Sequence, residues 1–148
     1  MIHHEHAVRP AQSADLPLIA SLIRELAEYE RLGHLVRFYE AELAEQLFGK
    51  HPAAEVLIGE LDGEAQGFAL FFPTFSTFEG RPGIWLEDIF VRPEARGRDL
   101  GKALIGAVAA IAVDRGCARF EWAVLDWNQP SIEFYHRIGA RMMDDWRI

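Results

Sequence analysis

Apolar residues recur at helical spacing in three places along the chain: Leu18, Ile19, Leu22, Ile23 and Leu26; Leu43, Ala44 and Leu47; and Leu100, Ala103, Leu104, Ala107, Val108 and Ile111. Each set covers one face of a helix with 3.6 residues per turn. Helices are therefore predicted from Ser13 or Asp15 with Pro17 in the first turn, over Tyr39 to Phe48 with Gly49 as the stop, and from Leu100 to Gly116. A fourth begins at Asn128 or Gln129, with Pro130 in its first turn, and closes at Gly139. Short apolar runs between turn residues predict strands at Ala7-Val8-Arg9, Glu55 to Glu60, Gln66 to Phe72, Ile84 to Val91 and Ala118 to Val124, with a last one around Arg141 to Arg147. Asp62-Gly63 joins two of them as a hairpin turn, and Pro73 is expected to end the third strand and open a loop over Thr74 to Gly83. The order β-α-α-β-β-β-α-β-α-β predicts one α/β domain, a mixed, largely antiparallel twisted sheet flanked by about four helices.

Composition narrows this picture. At 148 residues the chain is one ordinary domain, and with half its residues hydrophobic it has enough apolar material for a core. Residues 1–6, with His3, His4 and His6, read as a flexible, solvated terminus ahead of a domain over 7–148. No apolar run approaches the length that crosses a bilayer and the N-terminus lacks a signal-peptide pattern, so a cytoplasmic protein without a membrane partner is expected. Cys117 is the only cysteine, which excludes an intrachain disulfide and a cysteine-based metal site. The formal charge of −8 speaks against nucleic-acid binding and suits a cationic ligand.

Candidate chemistry gathers between Ile84 and Lys102. An apolar strand runs into Pro93, then into the basic turn Arg96-Gly97-Arg98-Asp99-Leu100-Gly101-Lys102, then into a helix. Backbone N–H groups and the positive end of a helix dipole, with Arg96, Arg98 and Lys102 beside them, make this a place for a phosphate-bearing ligand. Asp99 has a structural reading as the helix N-cap, its carboxylate accepting a backbone N–H bond. Glu87 and Asp88 interrupt the preceding strand, which is costly unless the acids are paired, hydrated or functional. Simple alternation puts them on opposite faces, so only one of the two is expected in any given pocket.

The turn Arg96 to Gly101 and the segment Asp126-Trp127-Asn128-Gln129-Pro130-Ser131-Ile132-Glu133-Phe134-Tyr135 together resemble the GNAT superfamily of N-acetyltransferases, and within it the diamine and thialysine branch that includes the spermidine/spermine enzymes. The resemblance runs from Val8 to Trp146, with Asp99 standing where the family pattern has glycine. It implies a GNAT fold and acetyl transfer from acetyl-CoA to a primary amine by direct attack, with no metal and with a homodimeric assembly in which Trp146 either meets a partner or packs internally. Tyr135 would be the general acid for the departing thiolate, the alternative being a packing tyrosine whose hydroxyl bonds the backbone. Glu87 would accept the amine proton, with Asp88 the weaker candidate. Ile89, Phe90 and Val91 would bind the pantetheine arm, with the Ile89 N–H as oxyanion donor. Arg96, Gly97, Arg98, Asp99, Leu100, Gly101 and Lys102 would hold the pyrophosphate, while Asn128 and Ser131 contact the cofactor. Tyr29, Glu30, Glu87 and Asp126 would receive the cationic acceptor. The Ser76 to Arg81 wording is nearer the thialysine type than the polyamine type. The other readings are a polyamine acetyltransferase, an acetyltransferase for protein tails and a non-catalytic acetyl-CoA sensor.

Overall fold

The computed structural model describes residues 5–148. Its strands are β1 (His6–Pro10), β2 (Glu55–Leu61), β3 (Glu64–Ser76), β4 (Arg81–Val91) and β5 (Arg119–Trp122), which form one sheet in the order β1-β2-β3-β4-β5. The first four run antiparallel, while β5 lies parallel to β4. A parallel neighbour requires a crossover, and α3 (Leu100–Asp114) supplies it. The mixed, largely antiparallel sheet matches the expected α/β class.

Helices cover both faces. On one, α1 (Leu16–Tyr29) and α2 (Glu40–Phe48) bury Ile19, Leu22, Leu26 and Leu47 against Ile58, Phe68, Leu70 and Phe90. On the other, α3 buries Leu100, Leu104, Ile105 and Val108 against Leu57, Phe71, Ile84 and Leu86. The chain then ends its regular structure with α4 (Gln129–Arg137). The helical stripes read from sequence are the ones buried, because a helix with a single apolar face has one way to remove it from water. Asp62 and Gly63 both have positive φ, 53° and 84°, the backbone of a type I′ hairpin turn.

Three expectations need correction. The third strand does not stop at Pro73 but continues to Ser76, and the loop shrinks to residues 77–80. The last β2 partner of β3 is Glu55, opposite Phe71, so Pro73 has only β4 beside it and its missing N–H is tolerated. No strand forms over Arg141 to Arg147: the segment is exposed, Asp144 and Asp145 enter a turn, and the Arg147 guanidinium donates to the carbonyls of Asp144 and Trp146 at 2.8 and 3.2 Å. A few apolar residues, Met142, Met143 and Trp146, cannot hold a strand that has no neighbour. Of the terminal histidines, His3 and His4 lie outside the described residues and His6 opens β1.

Candidate active site

The site begins where the β4–β5 pairing stops. β5 accompanies β4 only from Gly83 to Leu86, yet β4 runs on to Val91. The stretch from Glu87 to Val91 therefore keeps β3 on one side and has no strand on the other. A cleft of about 620 Å³ opens there. Its walls are the end of α1, the far half of β4, the start of α3, the residues just after β5, and one face of α4.

An irregularity in β4 determines what faces this cleft. Asp88 pairs with Leu70 and Leu86 with Phe71, so Glu87 is an extra residue, a β-bulge in the strand. The bulge shifts the alternation by one place. Ile84 and Leu86 pack on the α3 side before it, and Ile89 and Val91 do so after it, while Phe90 packs on the α1 side. Asp88, opposite the α1-side Leu70, and Glu87, bonded to Trp85, consequently share the α1 face. The expectation that only one acid reaches a given pocket is overturned, since simple alternation fails at a bulge and both line the cleft.

The two acids are held differently. Glu87 is exposed and its Oε2 accepts the Trp85 Nε1–H at 2.9 Å. Asp88 is partly buried, and burial, with the nearby Glu87 and Glu30 charges, pushes its carboxyl up to about 7. Glu30, at the end of α1, is also raised by burial. The α1 end is fixed over β4 by Arg92, whose guanidinium donates to both oxygens of Glu25 at 3.0 Å.

Tyr135 stands on the α4 wall. Its ring packs against Trp122 and Phe134, with centroids 5.2 and 5.6 Å away. Among the described residues its hydroxyl makes no hydrogen bond, which removes the reading of a phenol tied to the backbone. Burial first, then the Glu30 charge and Tyr29, push it up to about 12, so the proton stays on at neutral pH.

The remaining candidates sort by position. Tyr29, Glu30, Ile89, Phe90, Val91, Arg96, Gly97, Asp99, Leu100, Gly101, Lys102, Asn128 and Ser131 all line the cleft. Arg98 and Asp126 are exposed and line no part of it. Arg96 is less a free cation than expected: its Nε donates to the Val91 carbonyl at 2.9 Å, and its guanidinium lies 4.8 Å from the Tyr29 ring and 5.7 Å from the Phe90 ring. Asn128 is buried, with its Oδ1 accepting the Tyr29 hydroxyl at 3.3 Å and the Ser131 N–H at 3.4 Å. Asp99 occupies the N-cap position of α3 with φ 65° and ψ 11°, and its side chain accepts no capping bond. The capping expectation is therefore corrected: the residue is there for a left-handed backbone, which Asp tolerates better than most.

Arg137, Phe134, Ile138 and Trp122 line the cleft and were not anticipated. For the α4 residues a signal existed, since Ser131, Phe134 and Ile138 repeat at three- and four-residue spacing along one helix face. Trp122 carried no such signal, because its place depends on where β5 parts from β4.

The arrangement gathers carboxyls from α1 and β4 and a protonated phenol from α4 on one cleft of about 620 Å³, with the N-terminus of α3 among its walls. The chain is 42% identical over 142 residues to the thialysine N-epsilon-acetyltransferase of Sus scrofa, covering 90% of this chain and 83% of that one. It is 32% identical over 186 aligned positions to an L-ornithine N5-acetyltransferase of Arabidopsis thaliana, covering 95% and 82%. An integron cassette protein from V. cholerae superposes with a TM-score of 0.78 at 25% identity, over 100% of this chain and 91% of that one. The acetyltransferase (GNAT) family profile matches residues 19–140, and the chain belongs to that family.

Proposed function

We propose that the protein transfers the acetyl group of acetyl-CoA to a terminal primary amine of a small cationic molecule of the thialysine, lysine-like or diamine type. The observation that carries the reading is the meeting, in one cleft, of an unengaged Tyr135 hydroxyl with the acids of the β4 bulge. The names of the Sus scrofa and Arabidopsis thaliana relatives, which put acetylation on a nitrogen of thialysine and of ornithine, support this acceptor class.

The donor fits the cleft by its chemistry. Beyond Leu86 the outer edge of β4 has no strand partner, so Ile89, Phe90 and Val91 offer backbone groups to a pantetheine arm, with the Ile89 N–H toward the developing oxyanion. The first turn of α3, with Gly97, Leu100, Gly101 and Lys102, suits the pyrophosphate, and Asn128 and Ser131 border the same ligand. The amine enters from the side of Tyr29, Glu30 and Glu87, where carboxylates favour a cation. A β4 carboxyl relieves it of a proton, the nitrogen attacks the thioester carbon, and Tyr135 protonates the thiolate as the C–S bond breaks. A homodimer belongs to the same reading, with the exposed Trp146 available to a partner.

Thiol release from acetyl-CoA, measured with thialysine, lysine, ornithine, putrescine, spermidine and a basic peptide, tests the proposal. Turnover concentrated on the amino-acid amines or diamines is expected. Turnover only with spermidine or the peptide would replace the acceptor class, and tight acetyl-CoA binding without thiol release would replace the enzyme with a sensor.

A further inference from the structure

The family resemblance implies Glu87 as the proton acceptor, but the bulge delivers two acids to the cleft and treats them unequally. We propose that Asp88 is the group that takes the proton from the acceptor amine, while Glu87 holds the acceptor's cationic end. This rests on the acetyl-transfer reading above and assigns the roles within it.

The argument is geometric first. Glu87 already accepts the Trp85 indole N–H and stands in solvent, so its carboxylate is oriented and open to a ligand. That suits an ammonium holder. Asp88, partly buried one residue on, has no hydrogen-bond or ion-pair partner among the described residues. An unengaged carboxyl on a reaction cleft has both oxygens available to a substrate N–H.

The surroundings then set its proton affinity. From its own strand Asp88 feels Glu87, and from α1 it feels Glu30, both negative. Opposite on β3 stands the apolar Leu70. Tyr29 from α1 and Tyr135 from α4 line the same cleft; of its basic wall residues, Arg96 is turned to the Tyr29 and Phe90 rings, and neither it nor Lys102 or Arg137 makes an ion pair with Asp88. Burial and like charges thus raise its carboxyl to about 7, close to the operating pH of a general base. An ordinary carboxylate is a poor match for an ammonium titrating near 10; one near 7 narrows that gap by about three decades.

The step balances. R–NH3+ passes one proton to an Asp88 oxygen, and the freed lone pair forms the C–N bond. Collapse of the tetrahedral adduct breaks C–S, with the sulfur taking the Tyr135 hydroxyl proton. The proton shed by the new amide nitrogen restores Tyr135, and Asp88 returns its proton to water, so one proton is released per turnover.

The test is the pH dependence of kcat/KM for the best amine in the native enzyme, Asp88→Asn and Glu87→Gln, with acetyl-CoA affinity measured by calorimetry in each. The native profile is expected to rise through an inflection near 7, apart from the titration of the amine itself. Asp88→Asn should lose that inflection and roughly 100-fold or more in kcat, with acetyl-CoA affinity held. Glu87→Gln should keep the inflection, displaced downward because a like charge is gone, and raise the amine KM about tenfold. An inflection that survives in Asp88→Asn and vanishes in Glu87→Gln overturns the assignment while leaving the acetyl-transfer reading intact. No thiol release by the native enzyme with any amine overturns both. Should Asp88→Asn not fold, carboxyl-carbon NMR titration of the native protein decides: a signal for Asp88 titrating near 4 overturns the proposal, and one near 7 sustains it.

Discussion

The two halves of β4 lie in one strand and differ in what borders them. Up to Leu86 the strand has β3 on one side and, from Gly83, β5 on the other, and its Ile84 and Leu86 are 1% and 2% exposed. From Glu87 to Val91 it loses β5, gains a bulge, and turns two carboxyls toward a cleft. The first half holds the domain together; the second carries the chemistry proposed above. What separates them is a single extra residue and the point at which a neighbour leaves. A strand satisfied on both edges has no spare backbone groups for a ligand, and a strand satisfied on one edge does.

The largest effect that would break this comparison lies across the cleft from the second half. Tyr135→Phe keeps the ring packing on Trp122 and Phe134 and removes only the hydroxyl. Turnover should fall roughly 100- to 10,000-fold, with acetyl-CoA affinity changed less than about twofold. Steady-state kinetics beside calorimetry checks this; native-like turnover in the variant would remove Tyr135 from the chemistry.

The first half is tested by stability instead. Ile84→Ala removes a side chain buried against α3 and should cost about 2–5 kcal/mol. Below the unfolding transition, the amine KM and the pH inflection should match the native enzyme. A variant that folded well but lost its pH dependence would show that the two halves are not separable.

A smaller, sharper contrast comes from Asp88. Its carboxyl is raised from 3.8 to about 7 in the fold, so the folded state holds the proton more tightly than the unfolded chain. Below about 4 both states are protonated and nothing is lost. As pH climbs from 4 to 7 the unfolded chain ionises first, and native stability falls until the folded group has ionised too. Asp88→Asn should therefore stabilise the protein by roughly 1–3 kcal/mol at pH 8 and hardly at all at pH 4, after allowance for solvent screening. Denaturant titrations at the two pH values decide it, and an equal effect at both would show that Asp88 is not strained by ionisation. The same substitution is expected to cripple turnover, so a gain in stability with a loss of activity would mark the second half of β4 as shaped for reaction.

Much of this was legible in the chain. The stripes of α1 and α3, the Asp62-Gly63 turn and the Asn128-Pro130 helix start each depend on neighbours in sequence, and each lies where the pattern put it. Tyr29, Glu30, Glu87, Asn128, Ser131 and Tyr135 were legible as site residues through the resemblance, and they do line one cleft. The bulge was not legible, because an extra residue is defined by the register against β3 and leaves no mark on the composition of β4. For the same reason nothing in the chain signals that Asp88 lines the cleft beside Glu87. Pro73 and the segment after Arg141 misled in opposite directions, and both errors concern whether a neighbouring strand is present, which is a property of the sheet.

The smallest predicted effect concerns the anion-binding end of the same second half, at Asp99. The residue holds φ 65° without returning a capping bond, so replacing it by glycine removes no hydrogen bond and relieves a backbone that glycine adopts freely. Stability should rise by about 0.4–1 kcal/mol at most. The substitution also deletes an exposed carboxylate at the N-terminus of α3, beside the place proposed for the pyrophosphate, where Lys102 is on the same wall. Like charges that near repel, though solvent weakens them, so acetyl-CoA should bind about two- to tenfold tighter in Asp99→Gly, with the difference shrinking as salt is raised. Calorimetric titration at two salt concentrations separates the contributions: a gain that persists at high salt comes from the backbone, and one that fades comes from the charge. Weaker binding at either concentration would mean that the carboxylate organises the turn in a way its hydrogen bonds do not reveal, and would move the phosphate site away from the first turn of α3.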